Sequence, residues 1–271
     1  MIKQAIIPLA GLGTRLLPLT SVLPKELLPI NGKPGIEYII EECIKSGIKE
    51  IIFIISKKKR IIKDYFYKDR FYKQLIKKKP KDKRLKLEYS KIKKYKKMIK
   101  FVYQNSPRGT GDAILKCKKL IKSNFFLMLM PDDLIISKNC SKSLIHLHKK
   151  FKSSVIASKR VDKQSVSRWG IFKIKKISKR DFVINDVIEK PNINSAPSNY
   201  AVIGRYILPK KIFPILKKQK PGKNGEIHIT DSIRTLIKQK NKFIGHIFDG
   251  KYLDCGSMSG YINSSLQISK Y

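Results

Sequence analysis

Short apolar runs alternate with amphipathic segments through the first half of the chain, and this alternation predicts strands and helices in turn. The run I-I-F-I-I at 51–55 is apolar at every position, which fits a parallel strand buried on both faces of its sheet. Pro34 opens a predicted helix that ends at Gly47. The predicted strands of this half are 5–9, 48–56, 99–104 and 125–130, and the predicted helices are 34–47, 61–72, 111–121 and 144–151.

The second half of the chain is richer in predicted strands. These are 154–161, 170–177, 182–188, 200–208 and 243–248, with helices at 211–219, at 231–240 and after Gly256. The β-α-β alternation at the front predicts an α/β fold with right-handed crossovers. We expect a Rossmann-like mixed, mostly parallel sheet flanked by helices, with a smaller β-rich part. A single domain over residues 1–271 is long enough to bury its own core.

The charge is unusual, because 60 Lys and Arg face 20 Asp and Glu and leave a net charge of +40. One explanation is a polyanion-binding protein. The other is A/T-rich codon usage, which places lysine wherever a surface tolerates it, as at 57–59 and 77–79. We favour the second, because an arginine-rich arm, an RNP-like aromatic stretch and zinc-finger spacing are all missing from the sequence. We therefore expect no specific nucleic-acid partner, and we expect 77–100 to be a solvated excursion with weak helical character.

The four cysteines, Cys43, Cys117, Cys140 and Cys255, form neither a C-x-x-C motif nor a zinc-binding pattern. Scattered free thiols are typical of a reducing compartment. The apolar run at 5–10 leads into Gly and Arg, unlike a signal peptide, and no apolar stretch reaches membrane-spanning length. We therefore expect a cytoplasmic protein with no membrane partner.

The loop after the first predicted strand, G-L-G-T-R at 11–15, carries the first candidate chemistry. Glycines let backbone approach a ligand closely, exposed N–H groups can bind phosphate, and Arg15 adds a forked cation. The loop is neither a dinucleotide fingerprint nor a P-loop, because the third glycine of the first and the G-K-[ST] of the second are missing. A turn whose glycines serve only conformation is the alternative. Lys25 follows closely enough to share an anion with Arg15, although in this composition a lone lysine is often only a surface residue.

These motifs continue in order along nearly the whole chain, and together they resemble the bacterial UTP–glucose-1-phosphate uridylyltransferases of the sugar-1-phosphate nucleotidyltransferase family. The matching strings are G-L-G-T-R at 11–15, P-K-E-L-L-P-I at 24–30, K-P at 33–34, Gln104, G-T-G-D-A-I at 109–114, M-P-D-D at 130–133, W-G-I at 169–171, I-E-K-P at 188–191, A-P-S-N-Y-A-V-I-G-R-Y at 196–206, G-E-I at 225–227, I-T-D at 229–231 and D-C-G at 254–256. A single string could arise by chance, whereas so many in order indicate the family.

The resemblance implies roles for individual residues. Nucleotide-binding residues would be Ala10, Gly11, Gly13, Thr14, Glu26, Gln104 and Gly109. Arg15 and Lys25 would bind the triphosphate and, with Lys190, would be the catalytic cations. The sugar phosphate would contact Gly170, Glu189, Lys190 and Gly204, and Asp132 and Asp254 would hold Mg²⁺. A nucleotide-binding part at about 1–135 and a sugar-phosphate-binding part at about 150–260 would make up the one domain.

The residue types are compatible with these roles, although each has a plainer explanation. Mg²⁺ prefers one or two carboxylates together with substrate phosphates, whereas an Asp after a strand can also be a turn or cap residue. Asp133 could replace Asp132 as the ligand. Glu189 and Lys190 could be a surface pair, and Gly170 and Gly204 could mark bulges. Gln104 can donate and accept hydrogen bonds together, as an imide such as uracil requires.

The activity that the resemblance implies is the formation of UDP-glucose and pyrophosphate from UTP and glucose 1-phosphate. The sugar phosphate is already an anion and needs no general base, so the expected step is a Mg²⁺-assisted in-line attack on the α-phosphorus. The alternatives are a glucose-1-phosphate thymidylyltransferase and, in a different class, a basic nucleic-acid-binding protein on the same scaffold. Because the chain stops at Tyr271, before the extra C-terminal helices of many family members, formation of a homo-oligomer stays open.

Overall fold

The computed structural model describes residues 2–136, 139–222 and 225–270, so both ends of the predicted domain, Met1 and Tyr271, lie outside the described residues. The strands are β1 Gln4–Pro8, β2 Pro29–Ile30, β3 Lys33–Pro34, β4 Glu50–Ile55, β5 Ile99–Tyr103, β6 Phe125–Leu129, β7 Asp133–Ile136, β8 Ser154–Arg160, β9 Gly170–Lys176, β10 Asp181–Glu189, β11 Tyr200–Pro209, β12 Phe243–Ile247 and β13 Lys251–Asp254. The α-helices are α1 Gly35–Lys45, α2 Arg60–Tyr67, α3 Arg70–Lys78, α4 Lys83–Met98, α5 Thr110–Leu115, α6 Cys140–Phe151, α7 Ile212–Lys218, α8 Ile229–Lys238 and α9 Met258–Ile268.

The described strands build a main sheet of nine, in the order β5-β4-β1-β6-β11-β8-β12-β10-β9. The strands from β5 to β6 are parallel, as is the β8–β12 pair, whereas β11 runs antiparallel to both β6 and β8. This arrangement confirms the predicted α/β fold with a mixed sheet. Its parallel character is concentrated in the first half of the chain, and its antiparallel pairs in the second.

The core lies on both faces of this sheet. Alternate side chains of β4 point to opposite faces, so Ile51, Phe53 and Ile55 join one apolar cluster while Ile52 and Ile54 join the other. Because β1, β4, β5 and β6 are parallel, their carboxyl ends meet at one edge of the sheet. In open α/β sheets this edge is where ligands bind.

The Lys-rich stretch at 77–100 is the largest departure from the sequence prediction. It contains the regular helix α4, which Asp82 caps by accepting a 2.9 Å hydrogen bond from the backbone N–H of Leu85. Ile92 and Tyr95 are buried, and the Tyr95 ring meets Phe66 edge-on at 6.4 Å. The predicted helical character is present, and most of the stretch is exposed, but the helix is regular and packs on the domain. Two apolar residues one turn apart anchor it, and the surrounding lysines hide that spacing in the sequence.

The predicted helices differ from the observed ones by a few residues at their ends, and two of them also differ in extent. The predicted helix at 61–72 is divided into α2 and α3, and the one predicted at 111–121 ends at Leu115 and continues as turns. Within the described ranges, no helix combines the length and the apolar character needed to cross a membrane.

Candidate active site

The loop after β1 forms the floor of a cleft of about 310 Å³ at the carboxyl edge of the sheet. Gly13 has a φ of +73°, a left-handed conformation that favours glycine, and the chain then enters a short 3-10 helix over Thr14–Leu16. All the residues predicted to bind the nucleotide line this one cleft, namely Ala10, Gly11, Gly13, Thr14, Glu26, Gln104 and Gly109. The cleft also contains Lys25 and Asp132.

Lys25 and Asp132 form the charged end of this cleft. Lys25 Nζ donates a 2.6 Å hydrogen bond to Asp132 Oδ2, and Arg15 Nη2 lies 3.7 Å from the same oxygen. Burial lowers the pKa of the Lys25 ammonium, but the charges of Asp132 and Glu26 outweigh it, and the pKa lies above its ordinary value. Burial likewise raises the pKa of Asp132, but Lys25 reverses this and holds it below the ordinary value. Both groups are therefore charged at neutral pH.

Asp254 is far from Asp132 in the sequence but lies next to it in the structure. The backbone N–H of Cys255 donates to the carbonyl of Asp132 at 2.8 Å, and the Gly256 N–H donates to Asp254 Oδ1 at 2.8 Å. A Cβ placed on Gly256 would lie 2.9 Å from Asp132 Oδ2, 3.1 Å from Asp254 Oδ1 and 2.7 Å from Arg15 Nη2. Both predicted metal-binding carboxylates therefore lie next to Gly256, and so does Arg15, which is predicted to be a catalytic cation.

The carboxylates of Asp132 and Asp254 fit a divalent cation that takes further ligands from outside the protein. No group of three or more His, Cys, Asp or Glu side chains that could hold a metal by itself occurs among the described residues. Two carboxylates suit a cation that takes its other ligands from phosphates and water, as Mg²⁺ does with nucleotides.

Another part of the cleft lies at the end of β5. Gln104 is buried, and its backbone N–H donates to Ile55 at 2.9 Å, which continues the sheet by one residue. Its side-chain Nε2 donates to Asp112 Oδ2 at 2.7 Å. Gly109, with a φ of +98°, turns the chain into α5, and the segment at Ile227 crosses directly over it.

Glu26 is held by a buried partner that the sequence prediction did not include. Lys59 Nζ donates to both carboxylate oxygens of Glu26 at 2.9 Å, and both side chains are nearly inaccessible. Lys59 belongs to the K-K-K run at 57–59, where its neighbours Lys57 and Lys58 are exposed. Composition therefore concealed it, and only its position just after β4, at the ligand-binding edge, could have indicated it.

A second cleft of about 360 Å³ adjoins the first and shares Thr110, Met130 and Glu226 with it. The residues predicted to bind the sugar phosphate, Gly170, Glu189, Lys190 and Gly204, all line this second cleft. The antiparallel register of β9 and β10 pairs Gly170 with Glu189, and Thr230 Oγ1 donates to Glu189 Oε2 at 2.8 Å. Arg15 also lines this cleft, so it stands between the two binding regions.

Asp133 lies in the second cleft and does not replace Asp132 beside Lys25. Its Oδ2 accepts from the backbone N–H of Gly204 at 2.8 Å, and its Oδ1 accepts from the Tyr252 hydroxyl at 2.7 Å. Burial raises the pKa of the Asp133 carboxyl to about 6, and the neighbouring charge of Asp132 adds to the rise. Gly204 has no room for a side chain, because a Cβ there would overlap Asp133 and Met130.

Replacing Gly109 by alanine is expected to destabilise the protein. The new Cβ would lie 2.7 Å from the Ile227 carbonyl oxygen and 2.8 Å from its nitrogen, so the crossing segment must move. Gly47→Ala is the matched control, since Gly47 has a φ of +80° but nothing within 4 Å of a Cβ. Urea denaturation should show that Gly109→Ala costs at least about 1 kcal/mol more than Gly47→Ala. Equal losses in the two variants would contradict the close crossing.

Known proteins resemble this chain over nearly its whole length. A family model described as nucleotidyl transferase matches residues 4–270. A putative UTP–glucose-1-phosphate uridylyltransferase of Methanocaldococcus jannaschii is 37% identical, with 99% of this chain and 93% of that protein aligned. UTP–glucose-1-phosphate uridylyltransferase 2 of Streptococcus pyogenes is 40% identical, over 99% of this chain and 90% of that protein.

Among solved structures, a UDP-glucose pyrophosphorylase complexed with UDP-glucose has a TM-score of 0.88 and 38% identity, and the alignment covers 100% of this chain and 99% of that one. The likeness thus extends over both clefts and the whole sheet that carries them. The chain belongs to the nucleotidyl transferase family.

Proposed function

We propose that this protein is a UTP–glucose-1-phosphate uridylyltransferase, which converts UTP and α-D-glucose 1-phosphate into UDP-glucose and pyrophosphate. The observation that carries the proposal is the pair of adjoining clefts, with Lys25 and Asp132 at the end of the first and Arg15 between the two. Asp254 lies beside Asp132 across Gly256. The relatives whose names carry this activity align with nearly the whole chain.

The two clefts divide the substrates between them. UTP occupies the first cleft, with its base toward Gln104 and Gly109 and its phosphates toward Lys25 and Arg15. Glucose 1-phosphate occupies the second, where Glu189 accepts hydrogen bonds from sugar hydroxyls and Lys190 faces the phosphate. The division corresponds to a nucleotide-binding part at about 1–135 and a sugar-phosphate-binding part at about 150–260 of one domain.

The chemistry requires charge neutralisation and alignment rather than proton removal. The attacking oxygen belongs to a phosphate that is anionic at neutral pH, so no general base is needed. Arg15, Lys25 and Lys190 offset the repulsion between the sugar phosphate and UTP, and the shared wall of the two clefts aligns the attack on the α-phosphorus. Pyrophosphate then leaves past Arg15, which is exposed along 63% of its side chain.

Asp132 and Asp254 would hold Mg²⁺ beside Lys25. The cation would stabilise the negative charge on the phosphate oxygens during the substitution at the α-phosphorus. Asp132 stays ionised for this task because Lys25 holds its pKa low. Cys43, Cys117, Cys140 and Cys255 are buried free thiols, which supports the proposal of a reducing, cytoplasmic location.

Pyrophosphate release from a panel of substrates tests the proposal. The protein should release pyrophosphate with UTP, glucose 1-phosphate and Mg²⁺, and release should stop when EDTA removes the cation. If dTTP is preferred over UTP, the protein is a thymidylyltransferase instead. If no nucleotide is turned over and the protein binds RNA or DNA with a steep salt dependence, it is a nucleic-acid-binding protein on this scaffold.

A further inference from the structure

The carboxamide of Gln104 has a fixed orientation in the cleft. Nε2 donates to Asp112 Oδ2 at 2.7 Å and makes a longer contact of 3.4 Å with the carbonyl oxygen of Gly109. A carboxylate oxygen and a carbonyl oxygen are both acceptors, so only the nitrogen end of the amide can face them. Rotating the amide by half a turn would place Gln104 Oε1 against Asp112 Oδ2 and would lose both contacts.

Asp112 can impose this orientation because it is itself anchored. Only 2% of the residue is exposed, and Arg108 Nη2 donates to its Oδ1 at 2.8 Å. Lys116 Nζ lies 3.9 Å from the same oxygen, so two cations stand beside the carboxylate. Asp112 follows the glycines of the G-T-G-D-A-I string, one turn into α5, which points it back toward the end of β5.

The other polar atom of the Gln104 amide is Oε1. Across residues 2–136, 139–222 and 225–270, no donor hydrogen-bonds to Gln104 Oε1, whereas Nε2 is committed to Asp112 and Gly109. Gln104 and Gly109 both line the nucleotide cleft. The cleft therefore offers a hydrogen-bond acceptor where the base edge would lie. Uracil and thymine present an N–H at ring position N3, whereas cytosine presents a lone pair there.

We propose that Asp112, anchored by Arg108, is a positioning residue that makes the site selective for an imide pyrimidine over cytosine by fixing the orientation of the Gln104 amide. The inference rests on the proposed function, because it assumes a pyrimidine nucleotide in the first cleft. A fixed acceptor at Gln104 Oε1 favours UTP over CTP, because only the base of UTP has an N–H at N3. It does not distinguish UTP from dTTP, because both bases have that N–H.

The variant that tests this is Asp112→Asn, which keeps the shape of the side chain but can offer either an oxygen or an NH₂ group to Gln104. With the constraint removed, the amide can turn and meet cytosine as a donor. The ratio of kcat/KM for UTP to that for CTP should fall on the order of tenfold or more. The ratio for UTP to dTTP should stay within about twofold of the wild-type value, since the discrimination rests on N3 alone. A residue with a merely structural role would lower all three rates together.

Asp64→Asn is the matched control, because it removes one negative charge from α2, where Asp64 pairs only with Arg60 and Lys68 among the described residues. Its UTP-to-CTP ratio should equal that of the wild type. Arg108→Met is a second test variant, in which the Asp112 carboxylate keeps two partners, Lys116 Nζ at 3.9 Å and Gln104 Nε2 at 2.7 Å. It should shift the ratio in the same direction as Asp112→Asn.

Equilibrium binding of UTP and CTP, measured by isothermal titration calorimetry, tests the inference separately from turnover. If folded Asp112→Asn or, should it not fold, Arg108→Met keeps the wild-type UTP-to-CTP ratio of dissociation constants, the inference is wrong. That result would leave the proposed function standing, provided that the wild-type protein makes UDP-glucose. If the wild type binds UTP but forms no UDP-glucose, the proposed function fails, and the binding ratio of the variants still decides the inference.

Discussion

Lys25→Ala should lower kcat for UDP-glucose formation on the order of 10²–10³-fold, because it removes a fixed positive charge from the place where negative charge develops on the phosphates. Lys25 Nζ is held 2.6 Å from Asp132 Oδ2, and only 14% of the side chain is exposed, so bulk water cannot easily replace it. Its raised pKa keeps it charged throughout the neutral range. Asp132→Ala and Lys190→Ala should cause losses of about the same size, on the order of 10²–10³-fold.

Pyrophosphate release at saturating substrate measures this effect, with circular dichroism to show that each variant is folded. Lys73→Ala is the matched control, since it removes the same charge from a surface pair with Asp69, where 59% of the lysine side chain is exposed. Its kcat should stay within about twofold of the wild-type value, as expected for a screened surface charge. Folded Lys25→Ala, Asp132→Ala and Lys190→Ala variants with near-normal turnover would show that the site is wrongly assigned.

Arg205→Met should lower the free energy of unfolding by about 3–5 kcal/mol, because it leaves a buried carboxylate without its partner. Arg205 is completely inaccessible. Its Nε and Nη2 donate to Glu42 at 2.8 to 3.1 Å, and its Nη1 donates to the Gly204 carbonyl at 2.9 Å. Arg60→Met is the control, because Arg60 is 75% exposed and lies 4.0 Å from Asp64. That variant should cost under about 1 kcal/mol.

The loss in Arg205→Met should also depend on pH. Burial raises the pKa of Glu42, but the charge and hydrogen bonds of Arg205 more than reverse this, and the pKa lies below its ordinary value. A carboxyl whose pKa is lowered by folding contributes stability that is present above its unfolded pKa of about 4.3 and is lost as the pH falls. Urea denaturation should therefore show a larger difference between wild type and variant at pH near 7 than at pH near 4. A small difference at neutral pH, or one that grows in acid, would contradict the role of the pair.

The sequence predicted the α/β fold, and it predicted which residues line common clefts, because both rest on local signals. The run at 51–55 is apolar at every position, and the structure buries it on both faces of the sheet. The predicted nucleotide-binding residues line one cleft and the predicted sugar-phosphate-binding residues line the other. The G-L-G-T-R loop and Gln104 follow β1 and β5, whereas Gly170 begins β9 and Gly204 lies within β11. Their assignment to UTP and glucose 1-phosphate stays a prediction until the variants are measured.

The features that the sequence did not predict depend on contacts between distant segments. Lys59 binds Glu26 across 33 residues, and in a chain with 60 Lys and Arg nothing local distinguishes it from its neighbours. Asp133 bonds to Gly204 and Tyr252, which lie 71 and 119 residues away. The packing of α4 was not predicted for a related reason, since its anchor Tyr95 needs Phe66 of α2 as a partner, and only the fold supplies it.

The most direct test of the central claim follows the α-phosphate and the γ-phosphate of UTP into the products. UTP labelled at the α-phosphate and UTP labelled at the γ-phosphate are each incubated with glucose 1-phosphate, Mg²⁺ and the wild-type protein, and the products are separated. Attack of the sugar phosphate on the α-phosphorus predicts that the α-label appears in UDP-glucose and the γ-label in pyrophosphate, in equal amounts. Release of the γ-label without transfer of the α-label to a sugar nucleotide would contradict the proposed uridylyltransferase.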